Sequence, residues 1–535
     1  MFAKEVYMTT NNSYANLIDL FQEFREFLKP KLVEGVPDYT PSFMEEKHRE
    51  LKKYQECLAS IDPSGWPVSQ QVDYHVVRAE MNGVDFDHRV LRPWARDPGF
   101  YNIIDGIYPR LIVHYTRMLS DWPLTVPKFP LKNSEIPKFK MKLQAIPKLF
   151  AQAKENLSEA SGELATIAIR VKEKEIDFLK RIISGLTQYH PHLVQIAKQA
   201  LEAVKDFRNW LQVNKSKMNA PAGIGKDNYN WWLRNVQLIP YTWDECLAII
   251  QSEYNRALAF LKLEEHKNRK LPPFKITSSE EENLMRQKEA AEDLFRFLRE
   301  EEVISIPSFL KPLPAQYYPR VWGVSAYLNP NEYDFFEQCC DREPMTQIAH
   351  TFFGHYYTKG RTIWYQDGDT RPIRGVIRLF DIHEARSEAL SFAVEEMLMQ
   401  LGWLDSHPRA REITYIWMIF RAARAIVDLK MHSHDYSMQE GIKKIVEMLP
   451  YPWAKEDSDS VWWDVEETLR APGHVTFYVI GKNMIWQLIK DRALQLKDKF
   501  SLRQFMDEFM RGGIIPISLT RWEMTGLEDE IKKLW

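Results

Sequence analysis

"DIHEARSEALSFAVEEMLMQLGWLD", Asp381 to Asp405, is the stretch on which the reading of this chain turns. On a helix, Glu384, Glu388 and Glu395 follow at i, i+4 and i+11. At about 100° per residue the three fall within roughly 40° of one another. Phe392 and Met399 border that stripe on one side and Leu398 on the other, while Leu390, Val394, Met397 and Leu401 form a second apolar face. A carboxylate stripe set among apolar residues needs partners, because burying unpaired charge is costly. A metal, a basic side chain or a shared proton would serve. The plain alternative is a partly solvated face paired with Arg378 or Arg386.

Outward from this stretch the chain is predominantly helical. "YANLIDLFQEFREFLKP" places Leu17, Leu20, Phe21, Phe24 and Phe27 at three- and four-residue steps and stops at Pro30. "FMEEKHRELKKYQECLASI", "HLVQIAKQALEAVKDFRNWLQVNK" and the long run from "KFKMKLQAIPKLF" to "DFLKRIISGL" follow the same rule. Ser279, with Glu282 three residues on, opens another helix as a capping-box pair. A Pro-rich break at "SIPSFLKPLPAQYYP" precedes one strand-like piece, "RVWGVSAYLNP". Helices then resume through "TYIWMIFRAARAIVDLKMH" and "TFYVIGKNMIWQLIKDRALQLKDKF". The expected organisation is an N-terminal helical region, 1–305, and a C-terminal helical region, 306–535, forming one continuous two-lobed unit. The fold class is mainly α.

Composition narrows the function classes. The 535 residues are 45% hydrophobic and 13% aromatic, which is globular usage. A net charge of −3, from 71 basic and 74 acidic residues, offers no electrostatic footprint for nucleic acid or an anionic membrane surface. The expected partner is therefore a small molecule or short peptide, with no nucleic acid and no membrane. Cys57, Cys246, Cys339 and Cys340 show no C-x-x-C spacing, so neither a disulfide framework nor a structural zinc site is expected. Reduced thiols, and an N-terminus without a basic-then-apolar leader, lead to the expectation of a cytoplasmic protein.

Two further groups carry candidate chemistry. "QIAHTFFGHYYTKG", 347–360, holds His350 and His355 five residues apart. Metal-binding histidines on a regular helix stand four apart. Five-residue spacing puts the two roughly 140° from each other, unless Gly354 admits a bulge or ends the helix. Downstream, "VDLKMHSHDYS" supplies His432 and His434, and "LRAPGHVTFYVIGK" supplies His474, Tyr478 and Lys482. Histidine and tyrosine can donate or shuttle protons.

Six segments in order resemble one family, the mostly helical, zinc-metallopeptidase-like family catalogued as domain of unknown function eight-eight-five. They are "VDYHVVRAEMNGVDFDHRVL" with "DPGFY", then "GVSAYLNP", "SEALSFAVEEMLMQLGW", "RAIVDLKMH", "APGHVTFYVIGK" and "KFSLRQFMDEFMRGGIIPISL". The resemblance implies a large helical, gluzincin-like fold with a small β element before the active-site helix. It lays Glu388 and Glu395 on the two glutamates of the family's E-G-W-A-L-Y-A-E segment and His432 on its histidine. The family's site motif is H-E-x-x-P-G-H. With Gly354–His355 on its G-H, Ala349 stands where the first histidine would be, His350 at the general-base glutamate and Phe353 at the proline. One ligand and the base are replaced together, and His474 replaces a glutamine.

What the resemblance implies is a pocket with metal candidates His355, Glu388 and Glu384. His350, displaced by a bulge, or His383 with Glu384 could make up the missing ligand. The catalytic candidates are His350, His432 and Tyr478, and the substrate-binding candidates His474, Lys482 and Arg424. The cofactor to expect is one divalent metal (zinc, or iron or manganese) or none. Three functions are open: an enzyme with a rebuilt pocket using acid–base chemistry on a small polar substrate, by non-peptidic hydrolysis, elimination or isomerisation; a metal-dependent peptide or amide hydrolase with a non-standard ligand set; and a non-catalytic binding protein that keeps the fold.

Overall fold

The computed structural model describes residues 13–104, 124–125, 127–306, 335–356, 370–376, 379–380, 382 and 384–535. The expected strand at 320–330 and the Pro-rich seam lie outside these residues, as do Arg378 and His383. The chain is mainly helical, and among the described residues the one sheet is a two-stranded hairpin. The backbone divides into two compact units, Met1–Asn228 with Leu469–Ala471, and Tyr229–Thr468 with Pro472–Trp535.

In the first unit, α1 (Tyr14–Phe27) begins at Ser13, whose side chain accepts from the Asn16 N–H, and buries Leu17, Leu20, Phe21 and Phe24. These are four of the five apolar positions its spacing singled out. The hairpin joins β1 (Leu32–Val33) to β2 (Val36–Pro37), with Val33 opposite Val36. Helices α2 (Pro41–Ala59) and α3 (Val68–Phe86) follow. The long apolar run expected as continuous helix is two helices, α4 (Ile136–Asn156) and α5 (Gly162–Tyr189), parted by residues 157–161. With α6 (Val194–Asn214) they enclose the core of this unit, including Leu149, Phe150, Leu179, Val204 and Phe207.

In the second unit, α7 (Trp243–Lys267) opens on a full capping box, Thr242 with Glu245. Helix α8 (Glu280–Glu300) is capped by Ser279, which accepts from the Glu282 N–H. The Glu282 carboxylate reaches back to the Ser278 N–H instead of completing the box. Six of the candidate residues, Glu384, Glu388, Arg424, His432, Tyr478 and Lys482, sit on three further helices, α9 (Glu384–Gln400), α10 (Pro408–His432) and α11 (Thr476–Leu496). Helix α7 packs along α10, and α9 packs along α11. The α9–α11 crossing is close because Gly481 has no side chain: a Cβ there would run into the Ala385 carbonyl oxygen and the Ala389 Cβ. Apart from Ser387 and Gln400, every residue of α9 is buried, so its charged residues must be satisfied inside the protein.

Candidate metal centre

The carboxylate stripe of α9 is a buried stripe. Glu384, Glu388 and Glu395 are 1%, 6% and 2% exposed, which excludes the solvated face weighed from the sequence. Arg386 does not pair with them. Facing the stripe is a short helix, Met345–Ile348, that continues as a π-helical turn, Ala349–Tyr356. A π-helix bonds i to i+5, so residues five apart stack as residues four apart do in an α-helix. This winding brings His350 and His355 to one side. Gly354 permits it: a Cβ at that position would overlap Ser391 Oγ and lie 2.5 Å from Ser391 Cα. Ser391 stands on α9 between Glu388 and Glu395, so the glycine lets the turn rest directly on the carboxylate helix.

The result is a compact cluster. His350 Nε2 is 3.1 Å from His355 Nε2. Glu388 Oε2 is 3.2 Å from His355 Nε2 and 3.6 Å from His350 Nε2. A tetrahedral ion with ligands about 2.0–2.2 Å away sets its ligand atoms roughly 3.3–3.6 Å apart. One of the three separations falls in that range and the other two lie within about 0.2 Å of it, so a small outward adjustment would let His350, His355 and Glu388 hold one ion. They are the one such group among the described residues. Glu384 lies one turn earlier on α9 and is not part of it.

Around the cluster the charges are ordered. His350 Nδ1 is 2.7 Å from Glu395 Oε1, and Arg421 on α10 donates to Glu395 Oε2 at 2.6 Å. Burial opposes a protonated His350, but hydrogen bonds to Glu388 and Glu395 outweigh it and raise its pKa. Burial likewise opposes an ionised Glu388, yet His355 and His350 hold its carboxyl well below the usual range. Tyr478 on α11 is hydrogen-bonded to Glu388, and burial with that carboxylate pushes its phenol well above 10. The Arg424 guanidinium lies 4.4 Å from the Tyr478 ring and donates to Asp464 at 2.7 Å. Tyr478 thus borders the cluster, with Arg424 against its ring.

The remaining candidates lie elsewhere in the same unit. His432 is fully buried, with Nε2 donating to the Thr468 carbonyl at 3.0 Å and 3.7 Å from Asp428. His474 is 3.7 Å from Glu467, its ring 6.1 Å from that of Tyr478. Lys482 is bound to Glu253 and Glu396, and Arg256 spans the same two carboxylates. Glu253, Arg256 and Lys482 edge a groove of about 370 Å³ with Asn483 and Trp486. Sequence reasoning passed over Arg421 and Ser391. The available signals were the three-residue step from Arg421 to the singled-out Arg424, and a small residue between the two glutamates.

The family described as "Bacterial protein of unknown function (DUF885)" matches residues 30–318 and 392–524. The match passes over 319–391, which holds His350, His355, Glu384 and Glu388, and resumes before Glu395. No curated protein matches the chain. Two solved structures share the fold. One is "a putative lipoprotein of unknown function" from Shewanella oneidensis, with a TM-score of 0.70 and 13% identity, covering 96% of this chain and 99% of that one. The other is a "putative lipoprotein" from Colwellia psychrerythraea, with a TM-score of 0.69 and 15% identity, covering 96% and 98%. Both descriptions overturn the cytoplasmic placement. That expectation rested in part on the thiols, and Cys246, Cys339 and Cys340 are buried, where a thiol is shielded in any compartment. No helix among the described residues is long and apolar enough to cross a membrane.

Proposed function

The chain belongs to the DUF885 family of bacterial proteins of unknown function, and from that premise we propose a metal-dependent hydrolase of amide or peptide bonds. Its centre is His350, His355 and Glu388, and its substrate is a small molecule or short peptide. The observation that carries the reading is the π-helical turn, which converges two histidines five residues apart on one carboxylate. His350 then takes over, one place along the chain, the ligand role that Ala349 cannot fill. A divalent metal held there would polarise a scissile carbonyl and lower the pKa of water toward neutrality.

The chain's own residues supply the rest. The Tyr478 hydroxyl, held protonated, is a donor for negative charge developing on a carbonyl oxygen. Arg424 beside it adds positive charge and orients polar substrate groups. Glu384, near enough to Tyr478 to raise its pKa, is the carboxylate available for proton transfer in place of the family's base. The lipoprotein descriptions of the two fold relatives support a site of action outside the cytoplasm.

A second reading has its own support. His350–Glu395 and His355–Glu388 are two histidine–carboxylate pairs, an arrangement suited to acid–base chemistry without metal, in elimination, isomerisation or non-peptidic hydrolysis. Metal analysis of protein purified without chelator separates the two. The hydrolase reading expects about one equivalent of zinc, iron or manganese per chain, lost in His350→Ala, His355→Ala and Glu388→Ala. A folded chain that takes up no such metal on titration, or turnover that survives chelation and vanishes in His350→Ala, overturns it in favour of the second.

A further inference from the structure

For His350 to serve as a ligand it must present an Nε2 lone pair, and this depends on where its ring proton sits. A carboxylate only accepts hydrogen bonds. At 2.7 Å from Glu395 Oε1, His350 Nδ1 must therefore carry a hydrogen. Arg421 Nη2 is also 3.2 Å from Nδ1, but a guanidinium only donates, so this approach is not a hydrogen bond to a protonated Nδ1. Arg421 instead donates through Nη1 to the other Glu395 oxygen at 2.6 Å. Its guanidinium is held by ring faces, 4.8 Å from Phe392 and 5.0 Å from Trp417. The Glu395 side chain is fully buried and Arg421 nearly so, leaving little freedom for the imidazole to turn.

We propose that Glu395, anchored by Arg421, is the positioning residue that makes His350 a ligand, by fixing its Nδ1–H tautomer and aiming Nε2 at His355 and Glu388. One helix thus supplies both the ligand carboxylate and, two turns on, the carboxylate that orients the ligand histidine. Such outer partners change metal affinity about 10–100-fold when removed. The ligand role rests on the metal-centre reading of the site; the tautomer does not.

The test is Glu395→Gln, which keeps the shape. A carboxylate accepts from both His350 and Arg421, whereas a carboxamide has one oxygen for the two donors. Arg421 cannot become an acceptor, so the oxygen stays with it and the amide NH2 turns toward Nδ1, forcing the Nε2–H tautomer. Two-bond ¹H–¹⁵N correlation spectra of ¹⁵N-histidine-labelled, metal-free protein at alkaline pH, assigned with His350→Ala, read this directly. We expect Nδ1–H in the unaltered chain and Nε2–H in Glu395→Gln. Zinc affinity by chelator competition should fall about 10–100-fold in the same variant. An Nε2–H His350 in the unaltered chain overturns the proposal, and this needs no variant to fold. An unchanged tautomer or unchanged zinc affinity in folded Glu395→Gln also overturns it. If the chain binds no metal but the tautomer is Nδ1–H and switches as expected, the positioning role stands and the metal centre falls.

Discussion

Two buried clusters of charge invite comparison, one in each compact unit. In the first unit Lys172 and Glu175, both on α5, are fully buried and 2.9 Å apart. Lys172 also donates to the Tyr101 carbonyl, and the second Glu175 oxygen accepts from the Ile103 N–H. Burial lowers the Lys172 pKa and raises that of Glu175, each opposed by the partner's charge. Donors there meet acceptors. In the second unit His350 Nε2 and His355 Nε2 face each other at 3.1 Å beside Glu388, so nitrogen lone pairs converge on a carboxylate. Only a proton or a cation resolves that. Buried charge alone does not mark a site; converging acceptors do.

The largest effect should come from breaking the satisfied pair. Lys172→Met leaves Glu175 buried with one backbone donor, and losing one partner of a buried pair costs about 3–5 kcal/mol. Lys172→Met with Glu175→Leu removes both charges and should recover most of that loss. Guanidinium denaturation of the two variants measures the difference. A single variant as stable as the double would mean that the pair is not dry in solution, and the comparison would lose its reference.

Next in size is Gly354→Ala. The added methyl meets Ser391 Oγ and the Ser391 backbone, and the backbone of α9 cannot turn aside as a flexible side chain would. Overpacking of this kind costs about 1–3 kcal/mol. Because the strain falls where the π-helical turn rests on α9, it should also separate His355 from Glu388. Thermal unfolding and zinc titration together check this. Lost zinc uptake with a small drop in Tm is the expected outcome, and full uptake would show that the turn does not need the close approach.

That turn also shows where reading the sequence stops. Helices with apolar steps of three and four were legible, α1 down to its buried residues, as were the Ser279 cap and the Glu384–Glu388–Glu395 stripe. These follow from local periodicity, which the residues carry themselves. The convergence of His350 and His355 does not: α-helical arithmetic separates them, and the winding that unites them is set by contact with Ser391, about forty residues away in the chain. Gly354 was named as the place for a bulge, but nothing local says that the bulge forms. The break between α4 and α5 was missed for a different reason: apolar periodicity runs on through "ENLSEASGEL", and Ser161 before Gly162 was a weak stop against it.

The smallest effect tests a third kind of buried charge. Arg386 on α9 is 1% exposed, and its Nε and Nη1 have no hydrogen-bond partner among the described residues. Its contacts are the Phe509 ring at 4.6 Å and Met510 Sδ at 3.5 Å, and burial pulls its pKa down to about 9. A shift of that sign means that the folded state disfavours the charge relative to the unfolded chain, so at neutral pH the guanidinium works against folding. Arg386→Met fills similar space with a side chain suited to an aromatic and sulfur lining. It should therefore raise stability, by about 1 kcal/mol, the opposite sign to Lys172→Met. The gain should be present throughout the neutral range, where the guanidinium stays charged whether the chain is folded or not. Thermal unfolding from pH 6 to 9 reads it. A loss of stability instead would mean that Arg386 is paired in solution, and it would then belong with Lys172 as a satisfied charge.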